Sequence, residues 1–210
     1  MASLAAGTLL ILVAYLLGSI PTGYIVGHYT QGIDIREHGS GSTGATNVLR
    51  TVGKPAAIIV LLVDLLKGSL ALILVNLVYR YLPEVLPLTW HSWLITATAL
   101  SVIIGHSKSI WLNFTGGKSV ATTLGVLLVM NPLVALGTVA CFSVVLGIFR
   151  IVSLGSICGA ITVNILMFAL NQPLAYIIFA AVAGLYVIIR HKTNIQRLIA
   201  GVEPKIGQTL

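Results

Sequence analysis

Apolar runs of about 17 to 25 residues recur along this chain, each long enough to cross a hydrocarbon core about 30 Å thick as an α-helix. Their continuity decides the class. Strands of a membrane β-barrel alternate apolar and polar residues, whereas these runs are apolar throughout, so an all-α integral membrane protein is expected. Only 8% of the residues are charged, where a soluble domain carries about 25%. No stretch is long and polar enough for a separate soluble domain, so residues 1–210 read as a single polytopic membrane domain.

Seven spans are expected: about 3–27, 55–80, 91–107, a short one at 119–130, then 133–149, 155–171 and 173–190. The apolar N-terminus has no basic flank and runs directly into Gly18-Ser19-Ile20-Pro21, which predicts an uncleaved span kinked by Pro21. Gly23-x-x-x-Gly27 and Gly155-x-x-x-Gly159 permit close helix packing, and Asn164 is expected to bond a neighbouring helix. Asp64 and Lys67 share one helix face inside the second span; they are either a structural ion pair or groups facing a polar cavity. Cys141 and Cys158 read as small hydrophobes, without a disulfide framework or metal spacing.

Three polar islands interrupt the spans. The first lies in a long loop from His28 to Lys54 and runs Gly39-Ser40-Gly41-Ser42-Thr43-Gly44-Ala45-Thr46-Asn47-Val48-Leu49-Arg50. Small residues let backbone N–H groups approach a ligand, the hydroxyls and Asn47 add short-range hydrogen bonds, and Arg50 offers a fork for carboxylate or phosphate. Its Gly39-x-Gly41-x-x-Gly44 matches the dinucleotide fingerprint, but a span precedes it where a strand is required, and an unliganded flexible loop is the other bland reading. The second island, Ser107 to Lys118, closes with Gly116-Gly117-Lys118-Ser119. It is no Walker A loop, because Leu112 stands where glycine is needed; a helix follows it, whose N-terminal N–H groups could hold an anion beside Lys118. Asn113-Phe114-Thr115 fits a glycosylation acceptor only as a three-letter match. The third island is the tail from Arg190 to Lys205, with a short interfacial helix expected after Asn194.

With seven spans and the N-terminus outside, the inner segments hold ten basic residues: Arg36, Arg50, Lys54, Lys108, Lys118, Arg150, Arg190, Lys192, Arg197 and Lys205. The outer segments hold only Arg80. The positive-inside rule then puts the C-terminus and all three islands on the cytoplasmic face. The net charge of +7 fits topology and contact with anionic membrane lipid, and no aromatic-basic patch for nucleic acid is visible. The gathered basic groups suit phosphate, and five carboxylates in the whole chain argue against a two-carboxylate Mg²⁺ centre. His106 and His191 lack metal-ligand spacing, so neither metal nor cofactor is expected.

Three pieces together resemble one family. They are Gly39–Arg50, Gly105-His106 with Phe114-x-Gly116-Gly117-Lys118-x-Val120-Ala121-Thr122, and Arg190-His191-x-x-Asn194-Ile195-x-Arg197-Leu198-x-x-Gly201-x-Glu203. With Gly18-Ser19-Ile20-Pro21 and Asp64-x-x-Lys67-Gly68 the match covers nearly the whole chain, and the chain is similar to the bacterial acyl-phosphate-dependent glycerol-3-phosphate acyltransferases (the PlsY type). One departure is visible: Ser42 stands where the family commonly has asparagine.

The resemblance implies transfer of a fatty acyl group from acyl phosphate to the 1-hydroxyl of glycerol 3-phosphate. Lysophosphatidic acid and inorganic phosphate would result, from an enzyme expected to be a monomer in the bacterial inner membrane. It also implies roles. Ser40 and Arg50 would bind phosphate, Lys118 would stabilise developing charge, and His106 would act as base or donor, with donor preferred. Gly39, Gly41, Thr46, Asn47, Gly116 and Gly117 would line the substrate site. His191 and Asn194 would position glycerol 3-phosphate, Glu203 would order the tail, and either Ser156 or Ser153 would contact substrate from a turn at 152–156. A transporter of a phosphorylated or other anionic solute could use the same basic residues. Short, nearly uncharged outer loops favour the one-sided enzyme.

Overall fold

The computed structural model describes residues 1–208. Among them are ten α-helices: α1 Ala2–Ser19, α2 Thr22–Gln31, α3 Ala45–Thr51, α4 Lys54–Tyr81, α5 His91–Ser107, α6 Val120–Met130, α7 Pro132–Phe149, α8 Val152–Ala169, α9 Leu174–Arg190 and α10 Lys192–Ile199. Five stretches are long and apolar enough to cross a membrane: Ala2–Gln31, α4, Leu88–Ser107, α7 and α8. The pair α9 and α10, bent by 61°, would be a sixth, and α6 is a shorter apolar helix.

The helix ends follow from local chemistry. Pro21 has no N–H and cannot continue α1, so the carbonyls of Ser19 and Ile20 lose their helical donors. Ser109 Oγ donates to the first, while Lys67 Nζ (3.1 Å) and the Thr22 N–H (3.0 Å) donate to the second. The kink expected at Pro21 thus interrupts the helix within one span, Ala2–Gln31, and the polar groups it frees are met from α2, from α4 and from the loop after α5. Asn131 caps α7 by accepting from the N–H groups of Leu133 and Val134, with Pro132 in the first turn.

Two compact units form, one from Met1 to Met130 and one beginning at Asn131. In the first, α1 crosses α5 and α4 crosses α6. Each crossing uses a reciprocal pair of glycines: Gly18 faces the Val102 carbonyl and Gly105 that of Tyr15, while Gly68 faces the Thr122 carbonyl and Gly125 that of Leu65. Any Cβ there would overlap backbone, so only glycine permits this approach. In the second unit, Gly155 and Gly159 of α8 meet Phe142 and Thr138 of α7, as their spacing predicts. Gly23 and Gly27 are different: they receive the Thr43 carbonyl and the Ile35 side chain, so the loop rather than another span packs on them. Asn164 also departs from expectation. Its amide donates to Ala160 of its own helix at 2.9 Å, and it packs against Gly184 of α9.

The long first loop is not free chain. It contains the end of α2, a 3-10 turn at Ile35–Glu37, and α3. Ile35 and Val48 bury beside Ala56, Ala57 and Val60 of α4, with Tyr24, Ile33, Ala45 and Val52 around them. This apolar patch anchors the first polar island to α2 and α4.

Candidate active site

Asn47 is the hub of the first island. It is 1% exposed, its Oδ1 accepts from the Ser40 N–H at 2.8 Å, and its amide donates to the carbonyls of Ile35, His38 and Ser42 at 3.1, 3.0 and 2.9 Å. Its hydrogen-bonding capacity is thus committed to loop backbone. Gly39 sits at φ +57°, and a Cβ there would overlap the Asn47 side chain. Gly41, at φ +68°, is the second position needing left-handed backbone. Ser40, Thr46 and Arg50 are half-buried, Arg50 in the last turn of α3.

Arg36 clasps the loop from outside. It forms a two-nitrogen pair with Asp34 (2.6 and 3.0 Å), lies 5.4 Å from the Tyr24 ring centre, and donates to Thr115 Oγ1 at 3.4 Å. That last contact ties the first island to the second. The hydrogen bonds from Arg36 outweigh the burial that opposes them and hold the Asp34 carboxyl below the usual range.

In the second island Gly117 is buried and Gly116 half-buried. They lie directly on His106: the Gly117 N–H donates to the His106 carbonyl at 3.2 Å, and a Cβ on Gly117 would strike the imidazole. Lys118 is half-buried beside them. Ser119 adopts φ +63°, and its Oγ donates to the Ile103 carbonyl at 2.8 Å and meets Ser107 Oγ at 2.6 Å. Beneath, Lys67 Nζ lies 2.9 Å and His106 Nδ1 3.5 Å from one oxygen of Asp64. Asp64 and Lys67 do pair, and the pair includes a histidine from another helix.

The second unit holds the other group. Glu203 Oε1 accepts from Ser153 Oγ (2.7 Å) and from the Asn194 amide (2.6 Å), and Oε2 accepts from Arg197 Nε (2.6 Å). Burial pushes the Glu203 carboxyl up, yet these donors together prevail and leave it below its ordinary value. His191 Nδ1 sits 2.7 Å from the Val187 carbonyl, which makes Nδ1 the donor and leaves Nε2 as the acceptor in the neutral ring. Ser153 and Ser156 lie in the first turns of α8 rather than in an open turn, because α8 begins at Val152. Ser156 Oγ donates back to the Val152 carbonyl at 2.9 Å. Asn194 lies within α10, which starts at Lys192 rather than after Asn194 as expected. Among the described residues, no three His, Cys, Asp or Glu side chains converge as a metal site.

The model of the family described as glycerol-3-phosphate acyltransferase matches residues 8–201. A protein of that name from Rippkaea orientalis is 64% identical over 98% of this chain and 95% of its own. Another from Crocosphaera subtropica is 62% identical over 96% of this chain and 94% of its own. The chain belongs to the glycerol-3-phosphate acyltransferase family. The fold agrees with that of PlsY (YgiH), an integral membrane glycerol 3-phosphate acyltransferase. Its glycerol 3-phosphate form superposes with a TM-score of 0.87 at 35% identity, covering 96% of both chains. Its lysophosphatidic acid form gives 0.84 at 34% identity.

As a glycerol-3-phosphate acyltransferase, the chain is an acyltransferase in a multi-pass, all-helical membrane fold. Two features of this family member were missed in its sequence. Asp34-x-Arg36 was passed over, although an aspartate can accept from the N–H two residues on; here Asp34 caps the 3-10 turn in this way and its carboxylate also pairs with the Arg36 side chain. His106 meets Asp64 across two helices, which no local spacing reveals.

Proposed function

We propose that this acyltransferase uses acyl phosphate as donor and forms lysophosphatidic acid. The 1-hydroxyl oxygen of glycerol 3-phosphate attacks the acyl carbonyl carbon. A new ester C–O bond forms, the bond from the carbonyl carbon to the phosphate oxygen breaks, and the hydroxyl proton ends on phosphate. Acyl phosphate is already activated, so positioning and charge stabilisation can supply most of the acceleration without an acyl-enzyme, metal or coenzyme A.

The observation that carries the reading is the likeness over 96% of the chain to a protein known in both a glycerol 3-phosphate and a lysophosphatidic acid form. Ser40 and Arg50 bind phosphate, supported by Gly39, Gly41 and Thr46, while Asn47 holds that loop in shape. Lys118 and the Gly116-Gly117 backbone stabilise developing charge. His106 acts as a donor. His191 and Asn194 position glycerol 3-phosphate, with Nε2 of His191 an acceptor suited to a hydroxyl. Glu203 orders Asn194, Arg197 and Ser153. The enzyme works as a monomer, with seven spans, its N-terminus outside and its active site on the cytoplasmic side of the bacterial inner membrane.

The test supplies palmitoyl phosphate to purified protein in lipidic mesophase, with and without glycerol 3-phosphate and without metal or coenzyme A. Phosphate release that requires glycerol 3-phosphate, with lysophosphatidic acid formed, is expected. Release with no such requirement, or none from folded protein, would discard the reading and favour flux assays for an anion transporter.

A further inference from the structure

The proposed chemistry leaves Asp64 and Lys67 without a task, although both lie within α4, at 1% and 4% exposure. Two charges at such depth are costly, and a well-packed apolar pair of similar volume would often serve stability as well. Their contacts lead in two directions. Lys67 Nζ reaches the Ile20 carbonyl at the α1–α2 break (3.1 Å). Asp64 Oδ1 faces Lys67 Nζ at 2.9 Å and His106 Nδ1 at 3.5 Å. His106 in turn carries the second island on its other side: its carbonyl receives the Gly117 N–H at 3.2 Å, and its ring fills the space a Gly117 side chain would need. Lys118 follows at once.

We propose that Asp64 and Lys67 are positioning residues for the reaction. They fix the imidazole of His106, on which Gly116-Gly117-Lys118 is seated, and so set where that loop meets its phosphate-bearing substrate. The inference rests on the function proposed above for Gly116–Lys118, and it assigns His106 a supporting surface as well as a donor. The carboxylate is the pivot: it lies against both the cation anchored to the α1–α2 break and the ring beneath the loop.

The test separates positioning from simple stability. Asp64→Asn or Lys67→Met alone strands a buried charge and is expected to destabilise. The double variant restores neutrality at similar volume. If the pair served stability only, the double variant would regain the wild-type melting temperature with both Michaelis constants within about twofold of wild type. We expect the melting temperature to recover while KM for one of the two phosphorylated substrates stays raised by about tenfold, as displacement of a binding loop produces. Amide hydrogen exchange over residues 115–119, which needs no turnover, is expected to quicken in the double variant while exchange in α8 stays unchanged. Should the double variant not fold, Asp64→Glu keeps the charge but shifts the carboxylate by one methylene, and is expected to quicken exchange over 115–119 in the same way. Unchanged exchange there overturns the proposal. A wild-type protein without glycerol 3-phosphate-dependent release overturns the function instead, and leaves the exchange comparison to decide the positioning role.

Discussion

Asn47 is uncharged, yet its side chain meets four backbone groups, the Ser40 N–H and the carbonyls of Ile35, His38 and Ser42. Removing it leaves buried polar groups unmet, at roughly 1–3 kcal/mol each where water cannot enter. Asn47→Ala is therefore expected to lower both the melting temperature and turnover, and a variant that lost turnover alone would show that Asn47 contacts substrate. Arg50 and Lys118 are both half-buried. Arg50→Ala and Lys118→Ala are expected to cut turnover by about 100-fold or more, the scale of losing one charge-stabilising group; near-normal turnover in folded protein would remove them from the mechanism. Glu203 gives a pH signature. Its carboxyl is lowered from an ordinary value of 4.5, so the stability it contributes is fully present above that pH and is lost as pH falls through the lowered folded value. Thermal melts between pH 7 and pH 3 are expected to show this loss in the wild type and a flatter profile in Glu203→Gln.

Helices tell a different story from residues. Most spans were legible, because an apolar run bounded by Asn131-Pro132 or by Pro173 states its own start, and Gly155 and Gly159 state a close crossing. What misled was polarity. The His28–Lys54 stretch reads as loop because α3 is built from Ala45, Thr46, Asn47, Val48, Leu49, Arg50 and Thr51, too short and too polar to show a helical period. Its order comes from Ile35 and Val48 packing on α4, a tertiary cause. Asn164 shows the same limit in reverse, since its i−4 carbonyl was a nearer partner than any neighbouring helix. The crossings yield a sharp contrast. A Cβ on Gly125 would overlap the Leu65 carbonyl, whereas one on Gly147 would meet nothing within 4 Å. Gly125→Ala is expected to destabilise by about 1–3 kcal/mol through overpacking. Gly147→Ala is expected to be neutral or to stabilise by up to about 1 kcal/mol through helix propensity. Melting both in one detergent checks this, and equal shifts would deny that α4 and α6 cross as closely as described.

At the scale of the whole molecule, the orientation hangs on one short helix. Eleven residues of α6 rise only about 17 Å against a hydrocarbon core of about 30 Å. If α6 crosses, Arg150, Arg190, Lys192, Arg197 and Lys205 stay on the side of Arg50 and Lys118, and the basic bias is strong. If it does not, those five residues change sides and the bias disappears. A short span is physically tenable where protein rather than lipid surrounds its ends, since unmet backbone cannot face hydrocarbon. The N-terminal end of α6 meets that condition: Ser119 is 1% exposed and bonded to Ser107 and the Ile103 carbonyl. Glu84→Cys and Lys205→Cys, each in a background with Cys141 and Cys158 replaced by alanine, read the outcome directly in intact cells. A membrane-impermeant maleimide is expected to label position 84 from outside, and position 205 only after the inner membrane is opened. Labelling of both from outside would make α6 a re-entrant element and remove the basic bias on which the proposed orientation rests.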